Sequence, residues 1–283
     1  MLRQRVFGQL HKATAVLGET EERWIHKHTN LLLFMTRHPL DRIVSAFNFQ
    51  RHVTFVGDPT DQSATPYSPY VHLNQTVAAH FYNHCFRNIQ HFAMALDPRQ
   101  NKPGADCGCA DLGLKLVTGQ LETTFLEHFY YNYRRYAQRS FASAHYLGVT
   151  QKPHVVVRTT HLWADTGRLE GLLGGNPLRF AKAEKNDFKI THGSEAYEVS
   201  TGLDANGAIA LCCLLWDDVR VYTELILGAI NLDQDEKLET VLPVFVDCGI
   251  AQAIRFNWND VVQWDWYNWV QQTCLPSNQQ DVS

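Results

Sequence analysis

Residues 31–49, LLLFMTRHPLDRIVSAFNF, constrain the fold more than any other stretch of the chain. Five consecutive apolar residues at 31–35 form the short continuous run expected of a buried parallel strand. The run ends on Thr36-Arg37-His38, and Pro39 follows at the position of a first helical residue. Proline suits that position, which has no intrahelical acceptor for an N–H. From Pro39 the pattern turns helical. Leu40, Ile43, Val44 and Phe47 share one stripe, while Arg42, Ser45 and Gln50 fall elsewhere around the helix. Asp41 in the first turn complements the positive end of the helix dipole. A strand thus delivers Arg37 to its carboxyl end, and a helix starts there facing the same crevice. Ligands of open α/β sheets bind in such crevices. A helix N-terminus beside a guanidinium and a hydroxyl suits a phosphate. The alternative is an ordinary strand–helix junction whose arginine pairs with a nearby carboxylate.

A chain of 283 residues can bury one large core, and 45% apolar with 19% charged residues describes an ordinary globular protein. Its longest apolar runs, 31–35 and 209–216, fall well short of the roughly 20 residues of a bilayer span. The first 22 residues begin with basic side chains but show no sustained apolar core of a signal peptide. The expectation is a soluble chain with no membrane span. A formal charge of −4 argues against a non-specific nucleic-acid binder, yet leaves room for a local basic site for an anionic small molecule.

Seven cysteines are present: Cys85, Cys107, Cys109, Cys212, Cys213, Cys248 and Cys274. Cys212 and Cys213, inside the apolar run IALCCLLW, read as buried small hydrophobes. The others lie in loop-like or terminal segments, where disulfides are useful in an oxidising compartment. A pairing of Cys85 with Cys107 or Cys109 would pin an excursion between helices. Cys-Gly-Cys without a second close pair has poor zinc-ligand spacing, so no metal is expected. The sequon Asn74-Gln75-Thr76 is compatible with secretion.

Along the chain, 1–30 reads as a helical segment with a polar connection, and 51–76 as a long Pro/Thr/Asp-rich loop over a cleft. Spacing predicts a helix over 74–97, a loop over 97–113, and an aromatic and arginine-rich helix over 118–145 whose stacked Tyr and Arg could contact a sugar, though such a face more often packs on the core. The opening pattern then recurs. Val155-Val156-Val157 ends on Arg158-Thr159-Thr160, and a helix from Leu162 stops at Gly174-Gly175. Residues 176–207 read as a loop carrying Arg179, Lys182, Lys185 and Lys189, and 209–227 as one amphipathic helix. The expected organisation is one domain over 1–283, with an N-terminal helical segment at 1–30, a core at 31–250 and a Trp-rich extension at 251–283.

The segment Thr36-Arg37-His38-Pro39-Leu40-Asp41-Arg42-Ile43-Val44-Ser45-Ala46-Phe47 resembles the 3′-phosphate-binding motif of sulfotransferases, in particular the Golgi carbohydrate sulfotransferases. Residues 154–175 and 211–227 are similar to later segments of that family, so the resemblance spans about 31–250 and is sharpest in the first motif. It implies a P-loop-like three-layer α/β fold, with a central parallel sheet flanked by helices. It also implies that Arg37 and Ser45 hold the 3′-phosphate of the sulfate donor, 3′-phosphoadenosine 5′-phosphosulfate. The implied reaction moves a sulfuryl group to a carbohydrate hydroxyl, in the Golgi lumen or secretory pathway.

One departure bears on the reaction. The family's other donor motif is a Gly/Lys/Thr/Ser loop after its own strand, which cradles the 5′-phosphosulfate. The 36 residues before Arg37 contain no strand–loop–helix of that form. His11-Lys12-Ala13-Thr14 lacks the glycine and the preceding apolar strand, so it reads as helix surface. The expectation is an N-terminally incomplete or degenerate member, lacking its first strand and loop, with the catalytic groups unassigned. His38 reads as a packing residue pointing away from Arg37's side of the strand. Three readings stay open: a carbohydrate sulfotransferase or a fragment of one, an inactive nucleotide- or glycan-binding relative, and another α/β class such as a nucleotide kinase. Against the last stands the absence of a Gly-rich Walker loop, and no Gly-x-Ser-x-Gly elbow supports a hydrolase.

Overall fold

The computed structural model describes residues 31–55, 78–100, 107–118, 133, 153–178, 202–250, 253 and 255–276, without the side chains of 50, 52–55 and 107. Two strands, β1 (Leu32–Thr36) and β2 (His154–Arg158), pair in parallel, with Leu32 opposite His154 and Thr36 opposite Arg158. Both strand–helix junctions expected from the sequence are therefore present, and their strands are neighbours. β2 is buried along its whole length, as its β-branched run requires. β1 is only half-buried, and Met35 is 61% exposed. Among the described residues the sheet has these two strands and the remaining elements are helices. This is a mostly helical α/β arrangement, and the three-layer fold around a wide central sheet is not what the described residues display.

So small a sheet leaves backbone groups facing outward, and these need partners when buried. On β2, the Asn231 side chain supplies them. Its Oδ1 accepts from the Val156 N–H and its Nδ2 donates to the Val156 carbonyl, both at 2.8 Å. The Ile230 N–H donates to the His154 carbonyl at 2.9 Å. A two-residue segment thereby takes the place of a third strand.

Helix α1 (Pro39–Phe55) follows β1 and buries Leu40, Ile43, Val44 and Phe47, the stripe expected from spacing. Phe47 anchors an aromatic cluster. Its ring lies 5.0 Å from Tyr82, 5.8 Å from Phe92 and 6.1 Å from Phe81, and its carbonyl accepts from the Tyr82 hydroxyl at 3.1 Å. The helix expected over 74–97 is interrupted. A π-helical turn at Phe81–Cys85 ends where Phe86 adopts extended backbone, and Asn88 then caps α2 (Ile89–Ala95) by accepting from the His91 N–H. The interruption lets Phe81, Phe86 and Phe92 all turn inward, which one straight helix would not allow. The loop expected over 97–113 is likewise corrected, since Cys107–Val117 forms helix α3. Its buried Cys109, Ala110, Leu116 and Val117 give it an apolar face against the core.

After β2 and a 3₁₀ turn (Thr159–His161), α4 (Leu162–Leu172) ends as expected, with Gly174 at φ 77° and the Gly175 N–H bonded to the Glu170 carbonyl at 2.8 Å. The single helix expected over 209–227 is two: α5 (Ala205–Leu214) and α6 (Trp216–Gly228), meeting at Leu215. Its true start lies at the Asp204 cap, whose carboxylate accepts from the Gly207 N–H at 2.7 Å and from Gln90 at 2.9 Å. Three further helices follow: α7 (Gln234–Asp247), α8 (Trp258–Val262) and α9 (Trp266–Thr273). Asp233 and Glu236 form a capping box on α7, as Asn257 and Asp260 do on α8.

Cys212 and Cys213 are not free hydrophobes. Cys212 bonds to Cys248 and Cys213 to Cys274, while Cys85 bonds to Cys109 as one of the expected pairings. Adjacent cysteines on α5 thus fasten α7 and α9 to the same helix. Phe245, Phe256, Trp264, Trp266 and Trp269 stack between them, so the Trp-rich segment is packed into the main core. The loop expected over 51–76 is corrected at its start, since α1 continues through 51–55, and the loop expected over 176–207 is corrected at its end, since α5 begins at Ala205. Residues 1–30, 56–77 with the sequon, and 179–201 with the basic residues lie outside the described residues.

The Cys213–Cys274 bond closes the longest of these loops, 61 residues apart in sequence. Replacing both cysteines by serine is expected to lower stability by about 4 kcal/mol through loop entropy. Urea unfolding under non-reducing conditions measures this, and an unchanged midpoint would show that aromatic packing alone holds α9.

Candidate functional site

The carboxyl end of the sheet gathers three arginines in different electrostatic states. Arg158, the last residue of β2, is buried. Its Nε and Nη2 donate to the two carboxylate oxygens of Asp165 on α4, each at 2.8 Å, and its backbone N–H donates to Asp165 Oδ2 at 2.8 Å. Nη1 donates to Thr240 on α7 at 3.0 Å, and Glu236 lies 3.6 Å away. Glu236 also pairs with Arg168 on α4. Burial opposes the Arg158 charge, yet the Asp165 hydrogen bond and charge hold the guanidinium above the ordinary arginine value. This network clamps β2, α4 and α7 together, and the Arg158 charge is met by carboxylates.

Arg42, in the first turns of α1, is the second. It donates to the buried Asp218 on α6 at 2.9 Å and lies 5.8 Å from the centre of the Tyr133 ring. It holds α1 against α6 across the core.

Arg37 differs from both. It is exposed, and its Nη1 donates to Ser45 Oγ at 3.0 Å. Eight residues separate the two, and α1 brings them together because Ser45 lies two helical turns after the strand end, on the face toward Arg37. Among the described residues the Arg37 guanidinium pairs with no carboxylate, so the ordinary-junction alternative is not what this arginine does there. A hydroxyl and a guanidinium in contact, open to solvent beside the start of α1, can both donate to one anionic oxygen cluster. Thr159, Thr160 and His161 leave β2 at the same end of the sheet and are also exposed, with Thr160 Oγ1 2.9 Å from His161 Nδ1.

The Arg37 backbone is held from a distance. The Tyr133 hydroxyl accepts from the Arg37 N–H and donates to the Arg37 carbonyl, both at 2.6 Å, across 96 residues of sequence. Tyr133 was legible only as one of several aromatic residues in 118–145. Its burial agrees with the packing reading of that face, and no local signal marked its hydroxyl. Burial pushes the Tyr133 phenol far above the ordinary tyrosine value, so it stays protonated and able to donate.

His38 points inward, as expected of a packing residue. Its Nε2 lies 3.4 Å from Asp247 Oδ2, its ring is 6.4 Å from Tyr222, and neither ring nitrogen makes a hydrogen bond among the described residues. Burial holds the imidazole below the ordinary histidine value of 6.5, against the pull of Asp41 and Asp247. His80 approaches Cys85 and Cys109, but those sulfurs are joined to each other and offer no thiolate. The basic residues 179, 182, 185 and 189 lie outside the described residues.

No family model, no curated protein and no solved structure matches this chain.

His38 generates a pH dependence of defined sign. Its folded value lies below the unfolded one, so the unfolded chain binds the extra proton, and stability falls as pH drops below 6.5 toward the lowered value. Above 6.5 the group contributes nothing, being neutral in both states. In His38→Gln, the stability lost between about pH 7 and pH 5.5 is expected to be smaller than in wild type. Urea unfolding at both pH values measures it, and equal losses would remove His38 from the acid response.

Proposed function

We propose that this chain is a sulfotransferase-type protein that binds 3′-phosphoadenosine 5′-phosphosulfate through Arg37 and Ser45 and transfers the sulfuryl group to a hydroxyl of a carbohydrate acceptor. The observation that carries the reading is the contrast among the arginines. Arg42 and Arg158 are neutralised by buried carboxylates, whereas Arg37 is exposed and, among the described residues, its side chain bonds to the Ser45 hydroxyl and to no carboxylate. A 3′-phosphate placed there accepts from Nη1 and Nη2 of Arg37 and from Ser45 Oγ, whose own proton is not committed to Arg37. The resemblance of residues 36–47 to the 3′-phosphate motif points to the same two side chains.

Sulfuryl transfer moves the group in line from the donor phosphate to an acceptor oxygen, so catalysis rests on positioning and on charge stabilisation. Arg37 and Ser45 act on the first requirement. They grip the nucleotide at a point remote from sulfur and fix its register without touching the bond that breaks. The base that takes the acceptor proton, and the cations that offset charge on the leaving phosphate, are not assigned to residues of this chain. No helix among the described residues is long and apolar enough to cross a membrane. Three disulfides fit an oxidising compartment, which supports a place in the secretory pathway.

Calorimetric titration with 3′-phosphoadenosine 5′-phosphate tests the binding half of the reading. Arg37→Ala is expected to weaken binding by about 1.5–3 kcal/mol, the scale of a charge-assisted hydrogen bond. Equal affinity in wild type and variant sinks the assignment. Radiolabelled sulfate transferred to a panel of glycans separates an enzyme from a relative that binds the nucleotide without turning it over.

A further inference from the structure

A tyrosine distant in sequence contributes to the candidate site through the backbone of Arg37. The Tyr133 hydroxyl has one proton and two lone pairs, and both directions are used on a single residue of the chain. It accepts from the Arg37 N–H and donates to the Arg37 carbonyl at 2.6 Å each. For one oxygen to reach both groups, the N–H and the carbonyl of Arg37 must converge on the same side. The orientation of that residue is therefore tied to the position of the hydroxyl. The ring itself is immobilised. It is 3% exposed, lies 5.4 Å from the Tyr222 ring of α6, and packs under the Arg42 guanidinium, which Asp218 of α6 holds in turn. The chain from α6 through Tyr133 to Arg37 is continuous. It ends on the residue whose side chain, unlike its neighbours, is left exposed with Ser45 as its contact.

Strand pairing does not reach this far. β1 ends at Thr36 opposite Arg158, and β2 then turns into the 3₁₀ segment Thr159–His161. Arg37 lies one residue past the last ladder pair, where a side chain that must meet an anion in fixed geometry would otherwise ride on unsupported backbone. Pro39, two residues on, contributes no N–H that could help to anchor the turn.

We propose that Tyr133 is a positioning residue for the nucleotide site: its hydroxyl fixes the Arg37 peptide so that the guanidinium and Ser45 together select a ligand carrying a 3′-phosphate. This rests on the reading of Arg37 as a 3′-phosphate ligand. It adds a residue 96 positions away whose effect is on discrimination, in contrast to general stability.

The readout is the ratio of affinities for 3′-phosphoadenosine 5′-phosphate and adenosine 5′-phosphate, nucleotides that differ only in the 3′-phosphate. Tyr133→Phe keeps the ring and its contacts with Arg42 and Tyr222 and removes only the hydroxyl. The ratio is expected to fall by about tenfold, chiefly through the 3′-phosphorylated nucleotide. In an Arg37→Ala background, Tyr133→Phe is expected to change the ratio no further. A Tyr133→Phe protein that melts earlier but keeps the wild-type ratio overturns the inference while leaving the nucleotide reading intact, provided Arg37→Ala lowers the ratio. A wild-type protein that does not distinguish the two nucleotides overturns both. A second measurement needs no variant: the Arg37 amide proton of the wild-type protein is expected to be protected from exchange without nucleotide. An amide exchanging at the rate of an open loop overturns the inference even if Tyr133→Phe does not fold.

Discussion

Among the described residues the sheet has two strands, and the backbone groups that face away from the β1–β2 ladder need other partners, a requirement that organises much of this molecule. Asn231 closes the edge of β2 by taking both groups of Val156, and Tyr133 closes the carboxyl end of β1 by taking both groups of Arg37. An unpaired buried amide costs free energy on the scale of a whole hydrogen bond, so these two side chains decide where their segments sit. Asn231, three residues past α6, is drawn to β2, and Tyr133 is drawn to the end of β1. The same device that completes the sheet therefore fixes the geometry of the exposed arginine.

Around that sheet, charge and sulfur divide the work of holding helices. The Arg158–Asp165 pair, with Thr240 and Glu236, joins β2 to α4 and α7, and the Arg42–Asp218 pair joins α1 to α6. Removing one partner of such a pair strands a buried charge, which is why these contacts act as clamps more than as sources of net stability. The paired cysteines of α5 then tie α7 and α9 to one helix. The tryptophans fill the space between, so the carboxyl-terminal segment belongs to the main hydrophobic cluster. With its rivals neutralised, Arg37 stands out as a cation with a hydroxyl neighbour and an open side.

Much of the local structure was legible. The run 31–35 and the proline after His38 announced β1 and α1, and Val155–Val157 with Gly174-Gly175 announced β2 and the end of α4. The errors have physical causes. Period alone does not reveal a break such as Phe86, where extended backbone lets three phenylalanines face one way, nor the bend at Leu215 between two apolar stripes. The helix Cys107–Val117 was hidden by its glycines and a proline-rich approach, although Cys109, Ala110, Gly113, Leu116 and Val117 recur at helical spacing. The Asp233-x-x-Glu236 capping box was a readable start for α7. Hydrophobicity and disulfide bonding leave the same mark on cysteines in an apolar run, so only the distance to Cys248 and Cys274 separates them.

The sequence by itself determined the strand–proline–helix junction, because the residues involved are local and each has a conformational preference that agrees with its neighbours. The pairing of Arg37 with Ser45 was implied only by the resemblance of residues 36–47, and their contact is seen in the folded chain. Only the tertiary structure decided which of Arg37, Arg42 and Arg158 pair with buried carboxylates, and what holds the Arg37 peptide. That depends on Asp165, Asp218 and Tyr133, which reach the sheet from other elements, and hydrogen-bond geometry between distant segments leaves no periodic trace in a chain. Of Arg37, Arg42 and Arg158, the fold pairs the last two with carboxylates and leaves Arg37 exposed beside Ser45.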